Sequence, residues 1–190
     1  MALASKLGLA DPAEPLYFMK APSSLLGPGD AIVAPKGMGK IVFEGELAVV
    51  IGRRAKAVSE ADALEHVFGY TCCNDVTAAE VLNRDPSFAQ WVRAKSYDTF
   101  CPLGPCIATG LDPATLGVKT WLDGQLRQDY PVADIRFSVP RLVSLISHDM
   151  TLEPGDVVLC GTSVGSLPMR PGSEIEVEID GPGVLANRYG

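Results

Sequence analysis

Glu44 and Glu46 stand two residues apart in the run IVFEGELAVVI, residues 41–51. Side chains two apart along a strand share one face, ~6–7 Å from each other. Val42, Ala48 and Val50 fall on that same face, and a solvated face would usually hold more polar residues. Two carboxylates held so close repel each other unless a proton or cation intervenes. A hard divalent ion is the natural solution, because Mg²⁺, Mn²⁺ and Ca²⁺ prefer oxygen ligands. The alternative is an antiparallel strand whose polar face meets water. Asp75, in the apolar and small run TCCNDVT, is the candidate third carboxylate, since an unpartnered buried Asp is costly. Its alternative is a cap on a turn or on a helix beginning near Thr77.

Lys95 lies in RAKSYDTFCPLGP. Three carboxylates and one divalent ion leave a single negative charge. One Lys beside them neutralises it and leaves metal positions open for an anionic substrate. The alternative is a solvated Lys at a helix end, which the helix dipole favours. Gly161 and Thr162 open the Gly-bounded loop GTSVG, residues 161–165. Backbone N–H groups in such a loop can hold a carboxylate, and the alternative is an ordinary hairpin loop. Residues 161–165 match G-x-S-x-G letter for letter, but they are not read as a nucleophile elbow, since neither His66 nor His148 has a spacing that argues for a triad. Both His read as structural.

The elements that must position these residues are mostly short strands. Residues 16–19, 31–34, 41–51, 70–76, 106–109, 119–122, 157–160 and 175–179 have strand character, and Asp123-Gly124 is a type I′ hairpin signal. Three helices are predicted. One covers residues 59–68, with Ser59 as cap. A second covers 85–95, with Asp85 as cap and Pro86 at its first position. The third covers 138–150, capped by Ser138, with Val139, Leu142, Val143, Leu145 and Ile146 on its apolar face. The strands do not alternate with helices, which argues against a doubly wound parallel sheet.

The chain has 190 residues, 47% of them apolar and 21% charged, with a formal charge of −7. One domain over residues 1–190 is expected, with residues 1–14 as a short leading segment. An acidic chain lacks the electrostatic footprint of a nucleic-acid binder. No stretch reaches the ~18 apolar residues of a membrane helix, and residues 1–11 do not read as a secretory signal. The expectation is a cytoplasmic protein. Five Cys without a C-x-x-C spacing read as reduced thiols rather than a disulfide or zinc framework.

Taken together, the ordered segments FEGELAVVIGR (residues 43–53), GYTCCNDVTAAE (69–80), FAQWVRAKSYDTFCPLGP (88–105), TLEPGDVVLCGTS (151–163) and MRPGSEIEVEIDGPGVLANRY (169–189) resemble the fumarylacetoacetate hydrolase family. The resemblance runs from about Pro15 to the C-terminus. It implies an α+β, β-rich fold, a mixed-sheet β-roll, and a homodimer. It implies Mg²⁺ or Mn²⁺, sometimes Ca²⁺, held by a Glu-x-Glu pair and an Asp, which match Glu44, Glu46 and Asp75. The family's active-site Lys matches Lys95, and the Gly-Thr that helps hold substrate matches Gly161 and Thr162.

The implied substrates are small 2-oxo or β-dicarbonyl acids such as acylpyruvates, fumarylpyruvate and oxaloacetate. A 2-oxo acid can chelate the metal, which then stabilises the enolate formed as a C–C bond breaks or a proton leaves. Hydrolytic C–C cleavage is the first expectation. Decarboxylation, or isomerisation and hydration of muconate-derived 2-oxo acids, is the alternative. Many members carry a His and a Glu that activate water upstream of the segment around Lys20; residues 1–14 hold no His. A later-than-usual start, a reaction without activated water, or a non-catalytic ligand-binding member are the readings this leaves open. Smaller departures are Ala21 where Pro is usual, Ser163 where Pro is common, and Leu82 where several members carry Gln.

Overall fold

A computed structural model describes residues 12–82 and 84–190; the reading of residues 1–11 lies outside them. The chain runs through β1 (Leu25–Leu26), β2 (Ala31–Ile32), β3 (Ile41–Val42), β4 (Gly45–Ile51), β5 (Val67–Asn74) and β6 (Thr77–Ala78). Two short helices follow, α1 (Ala79–Leu82) and α2 (Trp91–Lys95). Then come β7 (Cys101–Ala108), β8 (Gly117–Leu122), β9 (Gln125–Pro131), α3 (Val139–Asp149), β10 (Val157–Leu159), β11 (Glu174–Ile179) and β12 (Gly183–Tyr189). They form two five-stranded sheets, β1-β7-β5-β4-β10 and β2-β12-β11-β8-β9, with β3-β6 as a separate pair. β1 runs parallel to β7 and β2 parallel to β12, while the other ladders are antiparallel. This is the β-rich, mixed-sheet α+β fold that the sequence led us to expect.

β4 is buried on both faces, every residue from Gly45 to Ile51 included. Leu47, Val49 and Ile51 pack with Val118, Val177, Ile179 and Leu185 of the other sheet, and with Val139, Leu142, Val143 and Ile146 of α3. α3 starts where it was predicted: the Ser138 hydroxyl accepts from the Arg141 N–H. Asp123 and Gly124 both have positive φ, +52° and +71°, as the type I′ turn between β8 and β9 requires.

Several local expectations differ from the fold. Residues 59–68 are not an α-helix. A 3₁₀ turn covers Ala63–His66 and β5 takes over at Val67, because Ile51 and Val50 pair with Val67 and Gly69. Ser59 does cap locally, accepting from the Asp62 N–H. Residues 85–95 are helical only over Trp91–Lys95, and Asp85 instead holds Ser87 through its side chain. Residues 16–19 join no strand. No helix among the described residues is long and apolar enough to cross a membrane.

The predicted strand over residues 41–51 is interrupted at Phe43 and Glu44. β3 pairs with β6 (Val42 opposite Thr77), and β4 pairs with β5 (Gly45 opposite Asn74). Between these ladders the Asn74 side chain accepts from the Glu44 N–H, and the Asp75 N–H donates to the Glu44 carbonyl. The kink keeps the backbone satisfied while freeing Glu44 and Asp75 from the regular ladder.

Gly45 of one sheet lies directly against Thr120 of the other. A Cβ there would lie 2.0 Å from the Oγ1 of the fully buried Thr120. Gly45→Ala is expected to cost about 1–3 kcal/mol through overpacking, lowering Tm by roughly 2–4 °C per kcal/mol in a chain of this size. An unchanged melting curve by scanning calorimetry would show that the sheets separate there at no cost.

Candidate metal centre

The kink and β4 bring Glu44, Glu46 and Asp75 together, each offering a carboxylate oxygen within 4.8 Å of the others'. Glu46 and Asp75 are buried, whereas the Glu44 side chain keeps 20% of its surface exposed, so the cluster opens to solvent on the Glu44 side. The Glu44 carboxylate accepts from the Thr77 hydroxyl at 2.9 Å. Glu46 Oε2 accepts from the Gly161 N–H at 2.7 Å. β10 makes that bond possible by pairing with β4, Leu159 opposite Ala48, so the chain leaves the strand beside Glu46.

Lys95, at the end of α2, is 2% exposed rather than solvated. Its ammonium donates to Glu44 Oε2 at 2.8 Å and to Asp75 Oδ2 at 2.5 Å. Asp75 therefore does not cap a helix; its carboxylate binds ammonium groups on both oxygens. The second is Lys20, whose Nζ lies 2.6 Å from Asp75 Oδ1 and also donates to the Lys95 carbonyl.

The sequence reading missed Lys20. It sits in the extended stretch between Pro15 and Pro22, two residues after Phe18, whose ring stacks on Trp91 at 5.5 Å and lies 5.2 Å from Lys95 Nζ. Period-two spacing of Phe18 and Lys20 in a Pro-bounded segment was the available signal. Lys20 also changes the charge count. Three carboxylates against two ammonium groups leave one net negative charge, so a divalent ion leaves one positive charge rather than none. A positive site favours an anionic substrate more strongly than the neutral one expected from Lys95 alone.

Thr162 and Gly161 join the cluster through β9, again by residues the sequence reading passed over. The Tyr130 hydroxyl sits between the carbonyls of Gly45 (2.8 Å) and Gly161 (3.3 Å). Gln128 accepts from the Gly45 N–H and donates to Thr162. His66 and His148 stand elsewhere. The His66 carbonyl accepts from Gly52 and Arg53 beyond the far end of β4, and His148 bonds the Ser144 carbonyl on the surface of α3.

The residues fit a hard divalent cation. The donors are all carboxylate oxygens, the class Mg²⁺, Mn²⁺ and Ca²⁺ prefer. Burial, then the charges of Asp75 and Glu44, push the Glu46 carboxyl well above the usual range, and burial also raises Glu44. Burial alone would lower Lys95, but Glu44, Asp75 and Glu46 outweigh it and hold the ammonium above the usual lysine range. The cluster is thus short of positive charge even with both Lys in place.

A pH dependence follows. A carboxyl raised in the fold binds its proton more tightly when folded than unfolded, so stability falls as pH rises through the raised value. Metal-free protein is expected to lose Tm on going from about pH 5 to about pH 8 relative to Glu46→Gln. Saturating Mg²⁺ should remove that difference in slope. Parallel wild-type and variant profiles without metal would show that Glu46 carries no such penalty.

The model of the fumarylacetoacetate (FAA) hydrolase C-terminal domain matches residues 3–189. An uncharacterized protein of Archaeoglobus fulgidus is 42% identical over 184 residues, 97% of this chain and 72% of its own length. The Escherichia coli 4-hydroxyphenylacetate degradation bifunctional isomerase/decarboxylase is 42% identical over 188 residues, covering 97% of this chain but 43% of that protein. Among solved structures, a 5-carboxymethyl-2-hydroxymuconate delta-isomerase from Mycobacterium smegmatis superposes with a TM-score of 0.91 at 41% identity, over 100% of this chain and 74% of that one. A maleylpyruvate hydrolase from Sphingobium gives 0.82 at 38%, over 90% and 63%. The names of these relatives span isomerase, decarboxylase and hydrolase activities. With the fold and nearly the whole chain matched, the protein belongs to the fumarylacetoacetate hydrolase family.

Proposed function

We propose that this chain is a divalent-metal-dependent hydrolase that cleaves a C–C bond in a small 2-oxo or β-dicarbonyl acid, such as an acylpyruvate or fumarylpyruvate. The observation that carries the reading is the convergence of Glu44, Glu46 and Asp75 with the buried ammonium of Lys95. Glu44, Glu46 and Asp75 would hold Mg²⁺ or Mn²⁺, with Ca²⁺ a further candidate. When bound, the ion supplies Lewis-acid polarisation of the substrate's keto and carboxylate oxygens.

The rest falls to the chain's own groups. Lys95, kept protonated by its carboxylate neighbours, offers positive charge and a proton where negative charge develops on the substrate. Lys20 keeps Asp75 fixed and adds a second positive charge. The loop carrying Gly161 and Thr162 flanks Glu46 and receives the substrate carboxylate.

A second reading, isomerase or decarboxylase, is favoured by the names of the Escherichia coli and Mycobacterium smegmatis relatives. It uses the same metal site and the same proton on Lys95. The test is turnover of acylpyruvates, oxaloacetate and a muconate-derived 2-oxo acid by Mn²⁺-loaded protein, followed by NMR. Two acid fragments from an acylpyruvate support the hydrolase. CO₂ release or a double-bond shift selects the second reading. Metal-dependent oxalate binding without any turnover points to a ligand-binding member instead.

A further inference from the structure

Gln128, on β9, is 1% exposed, and both ends of its amide are engaged. Oε1 accepts from the Gly45 N–H at 3.0 Å. Nε2 donates to Thr162 Oγ1 at 2.8 Å and to the Ser163 carbonyl at 3.1 Å, with Ser166 Oγ at 3.4 Å. One side chain thus ties the residue between the two Glu to the loop that follows β10. Gly45 has further anchors, since its carbonyl accepts from Tyr130 and Thr162. The Ser163 carbonyl is held by Gln128.

The Thr162 hydroxyl has one proton, and it donates to the Gly45 carbonyl at 2.9 Å while its oxygen accepts from Gln128. The Gly161 N–H is spent on Glu46. The N–H groups of Thr162 and Ser163 meet no protein acceptor among the described residues. The hydroxyl is therefore a tether, and the donors left for an anion are main-chain N–H groups.

We infer that Gln128 is a positioning residue: it locks Thr162 and Ser163 to Gly45, so that the backbone N–H groups of the loop, not the Thr162 hydroxyl, meet the substrate carboxylate. The inference rests on the metal-dependent 2-oxo acid reading of the site. A glutamine suits the task because it both accepts and donates. A Glu at this place keeps the acceptor for Gly45 and loses the donors to the loop.

The test is calorimetric titration with Mn²⁺, then with oxalate as a dicarboxylate probe. It uses wild type, Gln128→Met, Thr162→Val, their double variant and Thr162→Ser. Gln128→Met is expected to bind Mn²⁺ within about threefold of wild type, because Gly45 keeps its other anchors, and to bind oxalate about tenfold more weakly, in the range for residues that orient a metal site from outside it. Thr162→Val should show a similar loss. The double variant should be no more than about twofold weaker than either single one, because both changes cut one tether. Thr162→Ser should bind oxalate like wild type. Should Gln128→Met fail to fold, Gln128→Glu is read for the same loss. Oxalate affinity within twofold of wild type in the Gln128 variant, or losses that multiply in the double variant, would overturn the positioning role. Wild type that binds no Mn²⁺ would instead remove the metal reading beneath it.

Discussion

Glu46→Gln is expected to move metal affinity and metal-free stability in opposite directions. Glu46 is buried, and its charge is opposed by burial, Asp75 and Glu44. An amide of the same shape removes that charge and still accepts from the Gly161 N–H through its carbonyl oxygen. The metal-free variant should therefore melt higher than wild type at neutral pH. It also removes one of the three carboxylates proposed to hold the metal. Residues that merely orient a ligand typically cost about 10–100-fold in metal affinity, so removal of the ligand itself should cost on the order of 100-fold or more in Mn²⁺ affinity. Lewis-acid stabilisation of several kcal/mol corresponds to about three decades in rate at ~1.4 kcal/mol per tenfold, and that is the expected loss of turnover. Calorimetric Mn²⁺ titration and thermal melts with and without metal read both signs. A variant that melts lower without metal and still binds Mn²⁺ like wild type would remove Glu46 from the site.

The contrast between Glu46 and Lys20 shows what a linear pattern can carry. Glu44 and Glu46 drew attention because two charges inside an apolar run break a local rule, and Asp75 did so for the same reason. The α3 cap at Ser138 and the Asp123-Gly124 turn are local features, legible because backbone geometry constrains one or two residue types.

Lys20 and Gln128 are long polar side chains whose partners lie far along the chain: Asp75 for one, Gly45 and Thr162 for the other. Period-two patterns mark apolar residues, so an inward-facing glutamine in QLRQDYP reads like a solvated one. The expected same-face geometry of Glu44 and Glu46 was also only part of the account, because Glu44 leaves the ladder at the kink beside Asn74. Residues 59–68 failed as a helix for a related reason. Leu64, Val67 and Phe68 have helical spacing, but pairing of Val67 with Ile51 wins, and Leu64 and Phe68 stay exposed.

Lys95→Met should separate the metal from the proton. Lys95 Nζ stands between Glu44 and Asp75 at 2.8 and 2.5 Å, and nearly all of its surface is buried. Removing one partner from a buried ion pair leaves the others uncompensated, typically at a cost of about 3–5 kcal/mol. Lys20 remains on Asp75, so the lower part of that range is expected without metal. A divalent ion restores positive charge to the same oxygens. Mn²⁺ should bind this variant at least as tightly as wild type, because the competing ammonium is gone, and at about 100 times its Kd should return roughly 2.7 kcal/mol of stability.

Turnover should not return with it. Met offers neither charge nor proton at the reacting atoms, and loss of a general acid commonly costs about 10²–10⁴-fold. Lys95→Arg should fail to rescue the rate, since a guanidinium is bulkier and does not give up a proton near neutral pH. The decisive pattern is a metal-loaded Lys95→Met protein that is folded, binds Mn²⁺ and is slow, set against a Glu46→Gln protein that is folded and empty. Turnover of Lys95→Met within tenfold of wild type would make Lys95 a counter-ion for the carboxylates and leave the proton to another group.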